Sequence, residues 1–162
     1  MFELYQVGMA FIALLIGIIA WAKVSWTKKE KAQDLQLPKP DFIEYVGSGT
    51  SGSYVATTFA GRPLDRVSAH GLGFAGNSSL IVSGEGVHVS RYGERSFIIR
   101  KSSLVDLVRS SVVIDKAVEK DGLLSIVWKL GDTELESHFR FASSRARDEI
   151  ALKISDLLVG AK

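Results

Sequence analysis

The chain has 162 residues, of which 23% are charged, with a formal net charge of +2 and no cysteine. Without cysteine there are no disulfides, thiolate nucleophiles or cysteine-ligated metals. The charge is unevenly spread: residues 1–40 hold five Lys against three acids, whereas residues 41–162 hold fifteen basic and fifteen acidic residues. Non-specific nucleic-acid binding depends on an excess of cations that neutralise phosphates, which a neutral domain lacks, so we expect no nucleic-acid partner.

The chain begins with an apolar run, residues 4–22, that contains no charged side chain. As a helix this run is about 28 Å long, close to the hydrocarbon thickness of a bilayer. We therefore predict that residues 1–26 form a transmembrane anchor that contacts lipid through residues 4–22. A cleaved signal peptide would carry its positive charge before the apolar run. Here the basic residues follow it, at Lys23, Lys28, Lys29 and Lys31.

This lysine flank predicts the direction of the anchor. By the positive-inside rule, the N-terminus lies outside and the C-terminal domain is cytoplasmic, at the cell (inner) membrane. Ala13 and Gly17 form a small-xxx-small pair that would let two helices approach, which leaves homo-oligomerisation open.

Residues 27–52 have the composition of a juxtamembrane linker. Residues 27–36 are polar and could extend the helix by a turn or two, and Pro38 and Pro40 end it. Residues 41–46 have a short strand-like character, and the run GSGTSG at 47–52 is typical of a flexible spacer.

Residues 53–160 are predicted to form one domain of several short strands followed by a helix. Strands are indicated at 54–59, 79–82, 87–91, 96–100, 124–129 and 135–141, with 104–114 as one long strand or two pieces. Turns are indicated at 61–63, 84–86, 120–122 and 131–132, and 64–76 is expected to be irregular. The turn at 84–86 predicts a hairpin.

The hydrophobic period becomes helical from residue 143 onward. Ile150, Ile154, Leu157 and Leu158 fall on one face, Ser143 or Ser144 can cap the start, and Gly160 can end the helix. The fold class predicted is mainly β with α: an N-terminal transmembrane helix, then a PH-like β-barrel capped by a C-terminal amphipathic helix.

Familiar catalytic motifs lack their structural context. Two segments, 47–52 and 71–76, match G-x-G-x-x-G, but neither is followed by a helix that could receive a pyrophosphate. The three histidines are isolated, and no G-x-S-x-G elbow is present. We therefore expect no enzyme activity, no catalytic residue, no cofactor and no metal.

One cluster of cations is a candidate anionic-ligand patch. Two adjacent strands and their turn would bring it together, and Arg forks suit phosphate oxygens. The alternative is a solvated hairpin balanced by Glu85 and Glu94. The four residues are Arg91, Arg95, Arg100 and Lys101.

The chain resembles small actinobacterial membrane proteins with one N-terminal helix and a PH-like domain, often labelled as transporters or export proteins. The resemblance lies in YVATT at 54–58, PLDRV at 63–67, AHGLG at 69–73, EKDGLL at 119–124 and WKLGD at 128–132. It implies a PH-like barrel and brings no catalytic residues. A single helix encloses no path for a solute, so transport is not expected.

The predicted anchor and PH-like domain are consistent with two functions. The first is a cytoplasm-facing PH-like module that recruits an unidentified protein partner, or contacts lipid, at the inner membrane. The second is an accessory subunit of a larger membrane complex (respiratory, transport or envelope machinery) that docks through its helix.

Overall fold

The computed structural model describes residues 2–44, 47–110, 112–113, 116–117 and 123–160. Along the chain, eleven strands lie between two α-helices. The helices are α1 (Phe2–Gln36) and α2 (Ser144–Val159). The strands are β1 (Asp41–Ile43), β2 (Thr50–Phe59), β3 (Arg62–Arg66), β4 (Gly76–Ser83), β5 (Gly86–Arg91), β6 (Ser96–Arg100), β7 (Leu104–Ser110), β8 (Val112–Val113), β9 (Lys116–Ala117), β10 (Leu123–Leu130) and β11 (Thr133–Phe141). Short 3-10 turns lie at Ala69–Gly71 and Lys101–Ser103.

Helix α1 is longer than the predicted anchor and continues through the first ten residues of the expected linker. Lys, Glu, Ala, Gln and Leu dominate this stretch and are all good helix formers. The helix ends at Gln36 because Pro38 disfavours helical backbone at the residue before it. Its apolar part is long enough to cross a membrane and is not buried against the described domain.

Nine strands form one antiparallel sheet. The hydrogen-bonded order is β1-β6-β5-β4-β2-β11-β10-β7, and β3 pairs with β2 to one side. The path from β1 to β7 does not close on itself among the described strands, so the sheet is open and not a complete barrel. The predicted order of an apolar helix, a β domain and a C-terminal helix is confirmed, as is the hairpin of β4 and β5.

Part of the segment expected as a juxtamembrane linker, residues 27–52, belongs to the sheet. β1 pairs with β6, and β2 begins at Thr50, four residues before the predicted start. The glycine at position 52 is explained by packing, because a Cβ there would lie 2.9 Å from the Arg140 carbonyl oxygen. Residues 62–66 form β3, although 62 and 63 are predicted as part of a turn and 64–66 as irregular. The predicted domain boundaries themselves stay predictions.

The predicted strand 104–114 is divided, since β7 ends at Ser110 and β8 is a separate short strand. β8 pairs with β9 in its own two-stranded sheet. The turn predicted at 120–122 lies outside the described residues, as do residues 45 and 46 of the predicted strand-like segment 41–46.

Helix α2 closes the core as its hydrophobic period predicts. Ile150 and Ile154 are buried, and Leu157 and Leu158 pack against the core at its margin. Ser143 caps the start, where its side chain accepts a hydrogen bond from the Ala146 amide at 3.2 Å. The core side of the sheet includes Tyr54, Phe97, Trp128 and Phe139, whose rings stack or meet edge to face.

The opposite face of the sheet contains a buried histidine. The Nε2 atom of His138 lies 2.9 Å from Thr58 Oγ1, and its Nδ1 atom lies 2.7 Å from Ser125 Oγ. Glu136 is the nearest carboxylate, 3.8 Å from Nδ1. Burial lowers the pKa of His138 from 6.5 to about 4. At neutral pH the imidazole of His138 is therefore uncharged in the folded protein.

This histidine makes stability depend on pH. Between pH 6.5 and pH 4 the unfolded chain binds a proton that the folded chain does not, so stability present above pH 6.5 is lost as the pH falls. At about pH 5 the loss from His138 is roughly 2 kcal/mol. Urea unfolding of the full chain and of His138→Gln at pH 7.5 and pH 5 measures it. The variant is expected to show a smaller loss on acidification; an equal loss in both proteins would contradict the assignment.

Candidate functional site: the junction between the helix and the sheet

The structure places the first residue of the predicted anionic-ligand patch in the core. Arg91 is 3% exposed, because it continues the alternation of Val87 and Val89 that faces the core. Its Nε and one terminal nitrogen donate to the Arg95 carbonyl at 3.0 and 2.8 Å, and the other donates to the Gly71 carbonyl at 2.9 Å. The guanidinium therefore fastens two backbone segments.

Two rings and one carboxylate complete the surroundings of Arg91. Its guanidinium carbon lies 4.9 Å from the centroid of Tyr54 and 5.5 Å from that of Phe97. Burial lowers the pKa of Arg91, and Coulombic interactions with Tyr54, in its ionised form, and with Glu94 oppose that shift. Cation–π contact and charge-assisted hydrogen bonds suit a planar Arg better than a Lys.

The other three cations of the patch contact two further parts of the fold, β1 and the end of α2. Arg95 stacks over Phe42 at 5.0 Å, and Arg100 pairs with Asp41, so both hold β1 against the sheet. Lys101 Nζ donates to the Gly160 carbonyl at 2.7 Å, at the end of α2. Each of the four cations therefore makes contacts within the fold, and a shared anionic ligand stays a prediction.

The lysine flank lies on α1 between the apolar run and the domain. Lys23, Lys28 and Lys31 are exposed there, and Lys29 belongs to the same helical stretch. After this flank, the last turns of α1 meet the loop of residues 68–73. We call this contact the junction.

Gln33 is the buried polar residue that α1 contributes to the junction, at 9% exposure. Its Oε1 atom accepts hydrogen bonds from the backbone amides of Ser68, at 2.6 Å, and Ala69, at 3.3 Å. One helical side chain thus satisfies two donors of the loop, and both would lose their partner if it were removed.

His70 adds two contacts to Asp34 of the same helix and one to Leu37, the residue after its end. Its backbone amide donates to Asp34 Oδ1 at 2.9 Å, and its Nδ1 atom lies 3.3 Å from that oxygen. Its Nε2 atom lies 3.0 Å from the Leu37 carbonyl oxygen. His70 has φ +55°, a left-handed conformation that is uncommon outside glycine and is held here by these contacts.

The loop is joined to the core by its carbonyl groups. The Leu72 carbonyl accepts from Tyr54 OH at 2.7 Å and from the Thr57 amide at 2.9 Å. Burial raises the pKa of Tyr54 to about 12, so the phenol keeps its proton. Tyr54 OH also lies 2.6 Å from Thr57 Oγ1, and Thr57 Oγ1 lies 2.7 Å from Ser137 Oγ. The Ser137 hydroxyl in turn accepts a hydrogen bond from Trp128 Nε1 at 2.9 Å.

The second glycine run therefore has a structural use. Gly71 has φ +74°, which glycine adopts without steric cost, and its carbonyl accepts from Arg91. The run leads into β4 and not into a helix, as the sequence predicted. Among the described residues no group of His, Asp and Glu could hold a metal ion. The hydrogen bonds of the junction hold α1 against the sheet.

A comparison with protein families then decides the fold family. The model of a family described as bacterial PH domain-like matches residues 35–155, about three quarters of the chain. The chain belongs to the bacterial PH domain-like family. No curated protein matches the sequence. The match supports the PH-like part of the resemblance, and the actinobacterial part stays a prediction.

The match also bears on the junction. It begins at residue 35, so the last two residues of α1 lie within the matched range, whereas Gln33 and Asp34 lie just before it. The sequence analysis did not find these residues, because Gln33 lies 35 positions from its partner Ser68. A run of helix formers reaching as far as Pro38 was the only available signal.

Removing the junction side chains should loosen the loop. In Gln33→Ala/Asp34→Ala, two buried loop amides and the His70 amide lose their acceptors, at about 1–3 kcal/mol for each buried group left unpaired. Hydrogen exchange of the full chain in detergent should then be at least tenfold faster at residues 68–72. Lys31→Ala, on the same part of α1, is the matched control and should leave exchange unchanged. Unaltered exchange in the double variant would contradict the junction.

Proposed function

We propose that the chain is a single-pass membrane module that holds its PH-like domain at the cytoplasmic face of the inner membrane and recruits a protein partner there. The observation that carries the proposal is the continuity of α1, which is one helix from its exposed apolar run to the junction. A domain attached in this way has a restricted height and orientation relative to the bilayer.

The height follows from helix geometry. From Ala22, the last residue of the uncharged run, to Gln33 the helix rises about 16 Å. The domain therefore begins beyond the headgroup layer next to α1, in reach of proteins at the membrane surface. The lysine flank lies along this interval, where anionic lipids would attract it and support the cytoplasmic placement of the domain.

A protein partner is favoured over a highly charged lipid by the charges of the domain. Residues 41–162 carry no net charge, and the cations of the predicted patch are engaged with backbone, ring or carboxylate partners. Tethering raises the local concentration of the domain near other membrane proteins, so a weak contact suffices. Binding without catalysis is the role most consistent with the family.

The second candidate is an accessory subunit that docks through α1. Its support is the side chains of residues 6–28, which are exposed all around the helix, with Ala13 and Gly17 as a site of close approach. In this alternative the partner contacts the helix inside the bilayer and the domain is secondary.

Co-purification of a tagged chain in mild detergent separates the two functions. In one variant, residues 4–22 are replaced by a leucine–alanine span of equal length, with the lysine flank kept; in the other, residues 41–162 are deleted. Mass spectrometry is expected to find the same stoichiometric partner with the first variant and to lose it with the second. Retention by the second variant alone would favour the accessory subunit.

The direction of the anchor is tested in the same cells. The chain has no cysteine, so Asp132→Cys gives a single thiol on an exposed turn. A membrane-impermeant maleimide should label this thiol only after the membrane is permeabilised. Labelling in intact cells would place the domain outside and contradict the proposal.

A further inference from the structure

A groove of about 720 Å³ lies on the sheet where β2, β4 and β11 run side by side. In the sheet register, Ser53 stands opposite both Asn77 and Arg140, and Ser51 stands opposite Ser79. Side chains that stand opposite each other share a face. These five residues therefore form one polar row, on the face away from the core, and all of them line the groove.

Arg140 is the charged residue of this lining. Its side chain is exposed and has neither an ion pair nor a hydrogen bond with any residue in the described part of the chain. This separates it from Arg91, Arg100 and Lys101, which are bound to carbonyl or carboxylate groups. Arg140 thus presents an unused guanidinium beside small neutral donors.

Ser79 supplies an independent observation. It is 7% exposed, and its hydroxyl oxygen is buried without a hydrogen-bond partner among the described residues. A buried hydroxyl left unpaired destabilises a fold, so such groups are rare and call for an explanation. Its neighbour Leu80 faces the core, so strand alternation places the Ser79 side chain on the groove face.

We propose that this groove binds a single phosphoryl group. Arg140 supplies the positive charge, Ser79 supplies a hydroxyl that the fold leaves unpaired, and Ser51, Ser53 and Asn77 supply neutral donors. One guanidinium matches one phosphate, whereas nucleic acid or a multiply phosphorylated ligand would need several cations. The phosphate could belong to a phospholipid headgroup or to a soluble phosphate ester. The site is separate from the junction and does not depend on the proposed protein partner.

The test is a titration followed by NMR of the isotope-labelled full chain in dodecyl maltoside, which contains no phosphate. Inorganic phosphate should shift the backbone amides of residues 47–53 and 77–79 and reach saturation. Arg140→Gln should weaken binding at least tenfold. Arg145→Gln, an exposed arginine of α2 outside the groove, is the matched control and should bind as the wild type does.

Ser79→Ala separates binding from folding. It should weaken phosphate binding at least threefold and leave the midpoint of thermal unfolding equal to or above that of the wild type, because an unpaired hydroxyl has been removed. Glycerophosphoglycerol, the headgroup of an anionic phospholipid, forms the second arm. Tighter binding of this diester than of phosphate points to lipid, and the reverse points to a soluble ester. Absence of saturable shifts, or equal binding by Arg140→Gln, would overturn the proposal.

Discussion

The backbone of residues 68–72 is hydrogen-bonded to both the helix and the sheet, and the rest of the structure depends on this sharing. On one side its amides donate to Gln33 and Asp34 of α1. On the other, its carbonyls accept from Arg91 and Tyr54 of the sheet. Most of these groups are buried or partly buried, so separating helix from sheet would leave several of them unpaired, each at a cost comparable to a sizeable part of a domain's stability.

This constraint gives a single meaning to features that looked unrelated in the sequence. The polar stretch after the apolar run continues the helix, the second glycine run forms the loop that receives it, and Arg91 holds that loop from within the core. The cations of the predicted anionic-ligand patch contact backbone, ring and carboxylate groups of the fold, while Arg140, on the other face of the sheet, has no hydrogen-bond or ion-pair partner among the described residues. The proposed function requires this geometry, since a freely pivoting domain would have no fixed height or orientation relative to the bilayer.

The sequence predicts the elements that depend on local pattern. The apolar helix, the hairpin of β4 and β5 and the capped α2 are recognisable because period, turn residues and caps lie close together in the chain. The junction is not, because Gln33 and Ser68 are joined only by the fold. Arg91 lies between these cases: the alternation with Val87 and Val89 indicates an inward side chain, but its carbonyl partners on Gly71 and Arg95 become visible only in three dimensions. The openness of the sheet likewise depends on long-range pairing.

The central claim, that α1 and the sheet move as one body, is tested most directly by a distance. The chain has no cysteine, so Lys28→Cys on the helix and Glu85→Cys on the turn between β4 and β5 give a clean pair of exposed sites for spin labels. Pulsed electron–electron double resonance of this spin-label pair in lipid nanodiscs should give one narrow distance distribution. A broad distribution, or several distances of comparable population, would show that the domain pivots on its anchor and would contradict the account.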